Sequence, residues 1–165
     1  MLTVTIMQGV PGAGKSYVAH RWRLASPETV VVSADGYPGL YVYDQGPGKP
    51  PTYDRALQGK AHGWCFRRAW EALAQGASII VDNTNLSALE IAPYILMAQA
   101  FEAAPRIVRV PCQPDRAWAR NVHGLPADIH EKMVRAMMDF APAPWWEYIP
   151  GFQMLEAPGD YLPSD

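Results

Sequence analysis

The octapeptide Gly9-Val10-Pro11-Gly12-Ala13-Gly14-Lys15-Ser16 constrains this chain more than any other feature. It satisfies Gly-x-x-x-x-Gly-Lys-Ser and lies between an apolar run, Thr3 to Met7, and a segment of helical spacing, Gly14 to Leu24. Glycines let the backbone curl so that successive N–H groups point at an anion, and the N-terminus of the following helix adds a favourable dipole. Strand, loop and helix together predict a nucleotide site running from Gly9 to Tyr17. In it Lys15 bridges the β and γ phosphates of ATP, and Ser16 gives its hydroxyl oxygen to Mg²⁺.

The rest of the chain repeats that alternation. Thr29 to Val32, Ser78 to Val81 and Arg106 to Val110 are Val- and Ile-rich and read as strands, while Asp54 to Gln75 and Ala88 to Ala103 carry helical spacing. Alternating strands and helices predict an α/β fold, a parallel sheet of four or five strands flanked by helices, of the P-loop NTPase kind. With 165 residues, 49% hydrophobic, the chain has the size and composition of one domain over 1–165 that needs no disulfide or structural metal. Cys65 and Cys112 sit in no Cys-x-x-Cys pair and read as core or half-buried thiols. A net charge of −2 argues against a broad basic face tracking long duplex nucleic acid. No basic stretch precedes the first apolar segment, and no apolar run reaches the roughly 20 residues of a membrane span, so a cytoplasmic protein with no membrane partner is expected.

Within the helices, Leu57, Ala61, Cys65, Ala69 and Leu73 form a stripe that ends at Gly76, and Ser87 with Glu90 makes a capping box. Pro93 should bend that second helix or shift its start. Ile129, Met133, Met137 and Phe140 share helical spacing and read as core. The segment Gly36 to Thr52 is rich in Gly and Pro around Tyr37, Tyr41 and Tyr43 and reads as a functional loop. From Ala141 onward, Pro and the cluster Trp145, Trp146 and Tyr148 predict a segment wrapping the core, with a loosely ordered tail from about 155.

Transfer of phosphate to a hydroxyl requires a carboxylate near the γ phosphate. Asp35 follows the second strand at the sheet edge where α/β folds gather ligands, placed to accept the acceptor's proton; capping a turn with Gly36 is the alternative. Asp82 closes the third strand in Asp82-Asn83-Thr84-Asn85, the form of a Walker B carboxylate near Mg²⁺. Asn83, Thr84 and Asn85 then line the same edge toward phosphate or acceptor, or else serve as turn chemistry before Ser87. Arg116 and Arg120, spaced i, i+4 before a turn at His123-Gly124, supply positive charge on a helical lid. His20, His62 and His130 have no ligand spacing and read as structural or surface residues.

These motifs, in this order, resemble the polynucleotide-kinase-like P-loop kinases, especially their small single-domain members. The likeness covers Met1 to about Phe140 and rests on Gly9 to Ser16, Ser33-Ala34-Asp35, Ala61-His62-Gly63-Trp64, Asp82-Asn83-Thr84-Asn85-Leu86 and Arg120-Asn121-Val122-His123-Gly124. The resemblance implies that Asp35 is the general base, that Lys15 and Ser16 bind ATP and Mg²⁺, and that lid arginines bind phosphates. The 5′-hydroxyl polynucleotide kinases also carry an arginine a few residues after the catalytic aspartate, where this chain reads Gly36-Tyr37-Pro38-Gly39. A tyrosine-bearing loop stacking a base is the substitute the sequence offers. The leading expectation is an ATP-dependent kinase acting on a hydroxyl of a nucleic-acid end or nucleotide. A kinase for a small metabolite or for a modified DNA base shares every motif. An ATP-binding switch is the alternative from another class, and the lack of Asn-Lys-x-Asp argues against a guanine nucleotide switch.

Overall fold

Each of the apolar runs becomes a strand, because alternate residues find apolar partners on opposite sides of one sheet. The computed structural model describes residues 1–43, 46, 48–122 and 124–157. In chain order the elements are β1 (Thr3–Gln8), α1 (Lys15–Ala25), β2 (Val30–Val32), β3 (Tyr41–Val42), β4 (Thr52–Tyr53), α2 (Gln58–Ala74), β5 (Ile79–Val81), α3 (Ala88–Ala100), β6 (Ala104–Arg109), α4 (Pro114–Ala119), α5 (Ala127–Met138) and β7 (Gln153–Glu156). Five strands form a parallel sheet in the order β2-β5-β1-β6-β7, and β3 and β4 form a separate antiparallel pair.

Val4, Ile6, Ile79, Val81 and Ile107 point to one face, where they pack on Ala61, Cys65, Ala69 and Leu73 of α2 and on Ile91 and Ile95 of α3. Met7, Ile80 and Val108 point to the other, against Val18 and Ala19 of α1, Ala117 of α4 and Met133 and Met137 of α5. A parallel sheet covered on both faces has no wet side, which is why its strands read as continuous apolar runs. The ends are set locally. Ala77 donates to Ala72 and Gly76 to Leu73, closing α2 through Gly76 at φ +80°. The Ser87–Glu90 capping box opens α3 at Ala88.

Several sequence expectations change. Pro93 lies inside α3 without shifting its start. The helix expected from Asp54 begins as a 3-10 turn, Arg55–Leu57, with the Asp54 side chain accepting from the Ala56 N–H, and becomes α-helical at Gln58. The strand expected from Arg106 starts two residues earlier, and α3 ends before Ala103, because Ala104 N–H donates to Leu2. Pro105 is tolerated in β6 because Ala104 and Arg106 carry the bonds to neighbouring chain, β7 pairing only from Arg106 onward. The segment 36–52 holds β3 and the first residue of β4, Thr52. Trp146 is fully buried, against Phe152 at 6.2 Å, and the chain then returns as β7. The tail expected from about 155 overlaps this strand at Leu155 and Glu156, which pair with Val108 and Arg109.

Candidate nucleotide and acceptor site

The loop after β1 is shaped by its glycines. Gly12 at φ +82° and Gly14 at φ +96° occupy the left-handed region that other residues enter at a cost. Gly12 has a second reason to lack a side chain: a Cβ there would collide with the carbonyl of Ala117 in α4. Helix α4 therefore rests directly on the loop. Gly9, Val10 and Ala13 are scaffold within it: Gly9 N–H donates to Thr84, Ala13 N–H to Val10, and Val10 and Ala13 are buried. His130 of α5 braces the same loop, its ring Nε2 3.3 Å from the Pro11 carbonyl oxygen and its ring 5.4 Å from that of Trp118.

A cavity of about 860 Å³ opens above this loop. One wall is Pro11, Gly12, Gly14, Lys15, Ser16 and Tyr17, and the floor holds Asp82, Asn83 and Thr84 at the end of β5. Lys15 is buried and donates from Nζ to the Val10 carbonyl at 3.0 Å. Burial pulls its ammonium below the ordinary value, and the carboxylates of Asp82 and then Asp35 oppose that shift. Burial raises the carboxyl of Asp82, against a hydrogen bond from Ser16 and the charge of Lys15. Its Oδ1 is buried and has no hydrogen-bond partner among the described residues. A hydroxyl and an unsatisfied carboxylate oxygen side by side fit Mg²⁺, which takes one or two carboxylate-type ligands and completes its shell with phosphates and water. No group of three or more His, Cys, Asp or Glu suited to a metal forms among the described residues.

Asp35 sits in a 3-10 turn, Ala34–Gly36, whose N-cap is Ser33; the Ser33 Oγ accepts from the Asp35 N–H at 3.2 Å. The turn is thus capped without the Asp35 carboxylate, which is left exposed to the cavity. Tyr41 donates its hydroxyl to that carboxylate, and burial first, then the charge of Asp35, pushes the phenol up.

The asparagines divide. Asn83 Oδ1 accepts the Ala34 N–H at 2.8 Å, and its Nδ2 donates to Cys65 Sγ at 3.5 Å, so its amide holds the Asp35 turn although the residue borders the cavity. Asn85, expected to face substrate, does not: it is buried at φ +48°, donates from Nδ2 to Met7 at 2.7 Å, and lies off the cavity wall. Thr84 lines the cavity.

The lid arginines also part. Helix α4 ends at Ala119, so Arg120 is a helix cap and turns into the cavity, whereas Arg116, expected beside it on one helix face, does not line it. His123 lies outside the described residues. Val122, Gly124, Leu125, Pro126, Ile129 and Met133 complete an apolar wall; Ile129 and Met133 were expected in the core, and Met133 also packs there. The same cavity is lined by Leu40, Tyr41, Pro51, Tyr53, Arg55, Gln58 and His62. Sequence reading missed most of this wall, His62 included, though the spacing Arg55, Gln58, His62 was a helical signal for it. Of the loop tyrosines only Tyr41 faces the cavity; Tyr37 packs edge-on against Trp64 at 5.9 Å.

Fold and site define a kinase-like P-loop protein: a five-stranded parallel sheet with a phosphate-binding loop after its central strand. The family model described as an AAA domain matches residues 4–143, and the chain belongs to that family. It is similar to NEDD4-binding protein 2 of Homo sapiens, 32% identical over 152 residues that make up 87% of this chain but only 8% of that protein. Among solved structures it is similar to a candidate kinase from Chloroflexus aurantiacus, with TM-score 0.68, 17% identity, and 97% of this chain and 89% of that one covered. It is also similar to a chain of the Pnkp1/Rnl/Hen1 RNA repair complex, with TM-score 0.66, 17% identity, and coverage of 83% and 44%. A third is Chaetomium thermophilum Kti12 in complex with ADP-AlF3, with TM-score 0.65, 14% identity, and coverage of 93% and 88%. No described helix is long and apolar enough to cross a membrane.

Proposed function

We propose that the chain is an ATP-dependent kinase that transfers the γ-phosphate to a hydroxyl of a nucleic acid or nucleotide. The observation that carries this reading is an exposed carboxylate, Asp35, in the same cavity as Lys15 and the Ser16–Asp82 pair. A site built only to hold or hydrolyse nucleotide needs no such carboxylate backed by an aromatic wall.

In this reading the loop N–H groups and Lys15 hold the β and γ phosphates, Lys15 exchanging its bond to Val10 for phosphate oxygens. Ser16 and Asp82 would hold Mg²⁺, which would neutralise charge on the phosphates. Asp35 accepts the proton of the attacking hydroxyl, and the Tyr41 hydroxyl keeps its carboxylate aimed. Arg120 contacts the oxygens of the group in transit. Helix α4, packed on Gly12, and the contact of Gly124 with Pro50 cover the cavity from the lid and hairpin sides; a Cβ on Gly124 would lie 2.6 Å from the proline Cβ.

The Tyr41–Tyr53 pair, 5.2 Å between rings on the acceptor side, favours an acceptor with a planar base. Transfer of labelled phosphate from ATP to 5′-hydroxyl RNA and DNA, hydroxymethylated DNA, nucleosides and small alcohols tests the proposal. Label is expected on a nucleic acid or nucleotide; ATP binding without transfer to any acceptor would leave a switch, and label on small alcohols alone would move the acceptor class.

A further inference from the structure

The cavity holds a cation that the transfer chemistry leaves unused. Lys15 and Arg120 stand on the side of the phosphate-binding loop and lid, and Asp82 is paired with Ser16. Arg55 lines the same cavity from a different element, the 3-10 turn that feeds α2. Gln58 and His62 follow on the same wall, three and seven residues on, so one helical edge presents a guanidinium, an amide and an imidazole to the cavity. Among the described residues the Arg55 guanidinium enters no ion pair or hydrogen bond. Tyr53 lines the same cavity as Arg55 and Asp35, and its phenol, pushed up by burial and then by the Asp35 carboxylate, is drawn down by Arg55. Arg55 and Asp35 thus share one cavity, and both act on the Tyr53 phenol.

We infer that Arg55, with Gln58 and His62, forms an anion subsite that takes a phosphate of the acceptor beside the hydroxyl being phosphorylated. The acceptor is then a nucleotide or oligonucleotide, selected over neutral nucleosides and sugars. This deepens the kinase reading and rests on it. The chemistry follows from the parts: a planar guanidinium meets two phosphate oxygens at once, and the amide and imidazole donate to others. An acceptor phosphate approaching Asp35 would be repelled by that carboxylate, and Arg55 offsets the repulsion where it would act. The Tyr41 and Tyr53 rings beside it offer a surface for the attached base.

The test pairs two 5′-hydroxyl DNA oligonucleotides, one with an ordinary first phosphodiester and one with a neutral methylphosphonate there, with the wild type, Arg55→Ala and Arg55→Lys. Arg55 is exposed, so its replacement should leave the melting temperature unchanged. For the wild type, the neutral linkage should lower kcat/KM about 10- to 100-fold, the size of a lost charge-assisted hydrogen bond. Arg55→Ala should show the same loss on the ordinary oligonucleotide and little further loss on the neutral one, with ATP affinity unchanged in both. Arg55→Lys should recover part of the preference. Equal losses for Arg55→Ala on both oligonucleotides overturn the subsite while leaving the kinase reading intact. If the wild type transfers phosphate to neither, binding of the same pair beside a non-transferable ATP analogue separates the two. An Arg55-dependent preference for the charged linkage then keeps the subsite and retires the kinase, and no preference retires both.

Discussion

Replacing Asn83 by alanine tests whether this residue serves the fold or the substrate. The Asn83 Oδ1 accepts the Ala34 N–H at 2.8 Å, and both residues are buried. Alanine leaves that N–H without a partner where water does not reach it, at a cost of about 1–3 kcal/mol. The weaker contacts with Ser33 Oγ and Cys65 Sγ, both at 3.5 Å, add little. For a domain of this size, each kcal/mol shifts the melting temperature by about 2–4 °C, so about 2 kcal/mol should lower it by about 4–8 °C. Asp35 follows Ala34 directly, so a loosened turn should also misplace the carboxylate and lower transfer, while ATP affinity stays near wild type because the Asn83 side chain hydrogen-bonds Ser33, Ala34 and Cys65 and, among the described residues, nothing in the Gly9–Ser16 loop. Thermal melts, titration calorimetry with ATP and initial transfer rates read the three quantities. A melting temperature within 1 °C of wild type, alongside a large loss of transfer, would refute the reasoning and return Asn83 to a substrate contact.

Asp35→Asn should keep ATP affinity and lose transfer by about 10²- to 10⁴-fold, because the amide preserves shape without accepting a proton; a loss below about threefold, with chemistry rate-limiting, makes Asp35 a turn residue. Arg120→Ala should lower turnover far more than ATP affinity, and Arg116→Ala should do neither, since only Arg120 lines the cavity; equal small effects in steady-state kinetics would place the charge elsewhere. Burial raises the Asp82 carboxyl above its ordinary 3.8, so in the folded state the ionised form costs stability above the raised pKa, and the cost fades as pH falls through it. The melting-temperature difference, Asp82→Asn minus wild type, should therefore shrink on acidification from neutral pH toward 3.8; melts across that range showing a constant or growing difference would contradict a burial-raised carboxyl.

What the sequence determined by itself was whatever is encoded over a few neighbouring residues. Gly12 and Gly14 mark a loop only glycine can trace, Ser87 and Glu90, three residues apart, cap a helix, and the Val- and Ile-rich runs signal strands buried on both faces. Residues such as Asp35 and Asp82 were legible because they end such runs, and the carboxyl edge of a parallel sheet is where ligands gather. What the tertiary structure decided was direction and company. Asn83, Thr84 and Asn85 look alike in sequence, yet Asn85 turns back into β1 and Asn83 ties down Ala34, because β5 lies between β1 and β2. Arg116 and Arg120 share a helical spacing, but α4 stops at Ala119, and of the two arginines the capping residue Arg120 lines the cavity. Arg55 comes to the same cavity as Lys15 through the packing of α2 against the Asp35 turn and the pairing of β3 with β4, and contacts between residues so far apart in the chain leave no local period to read.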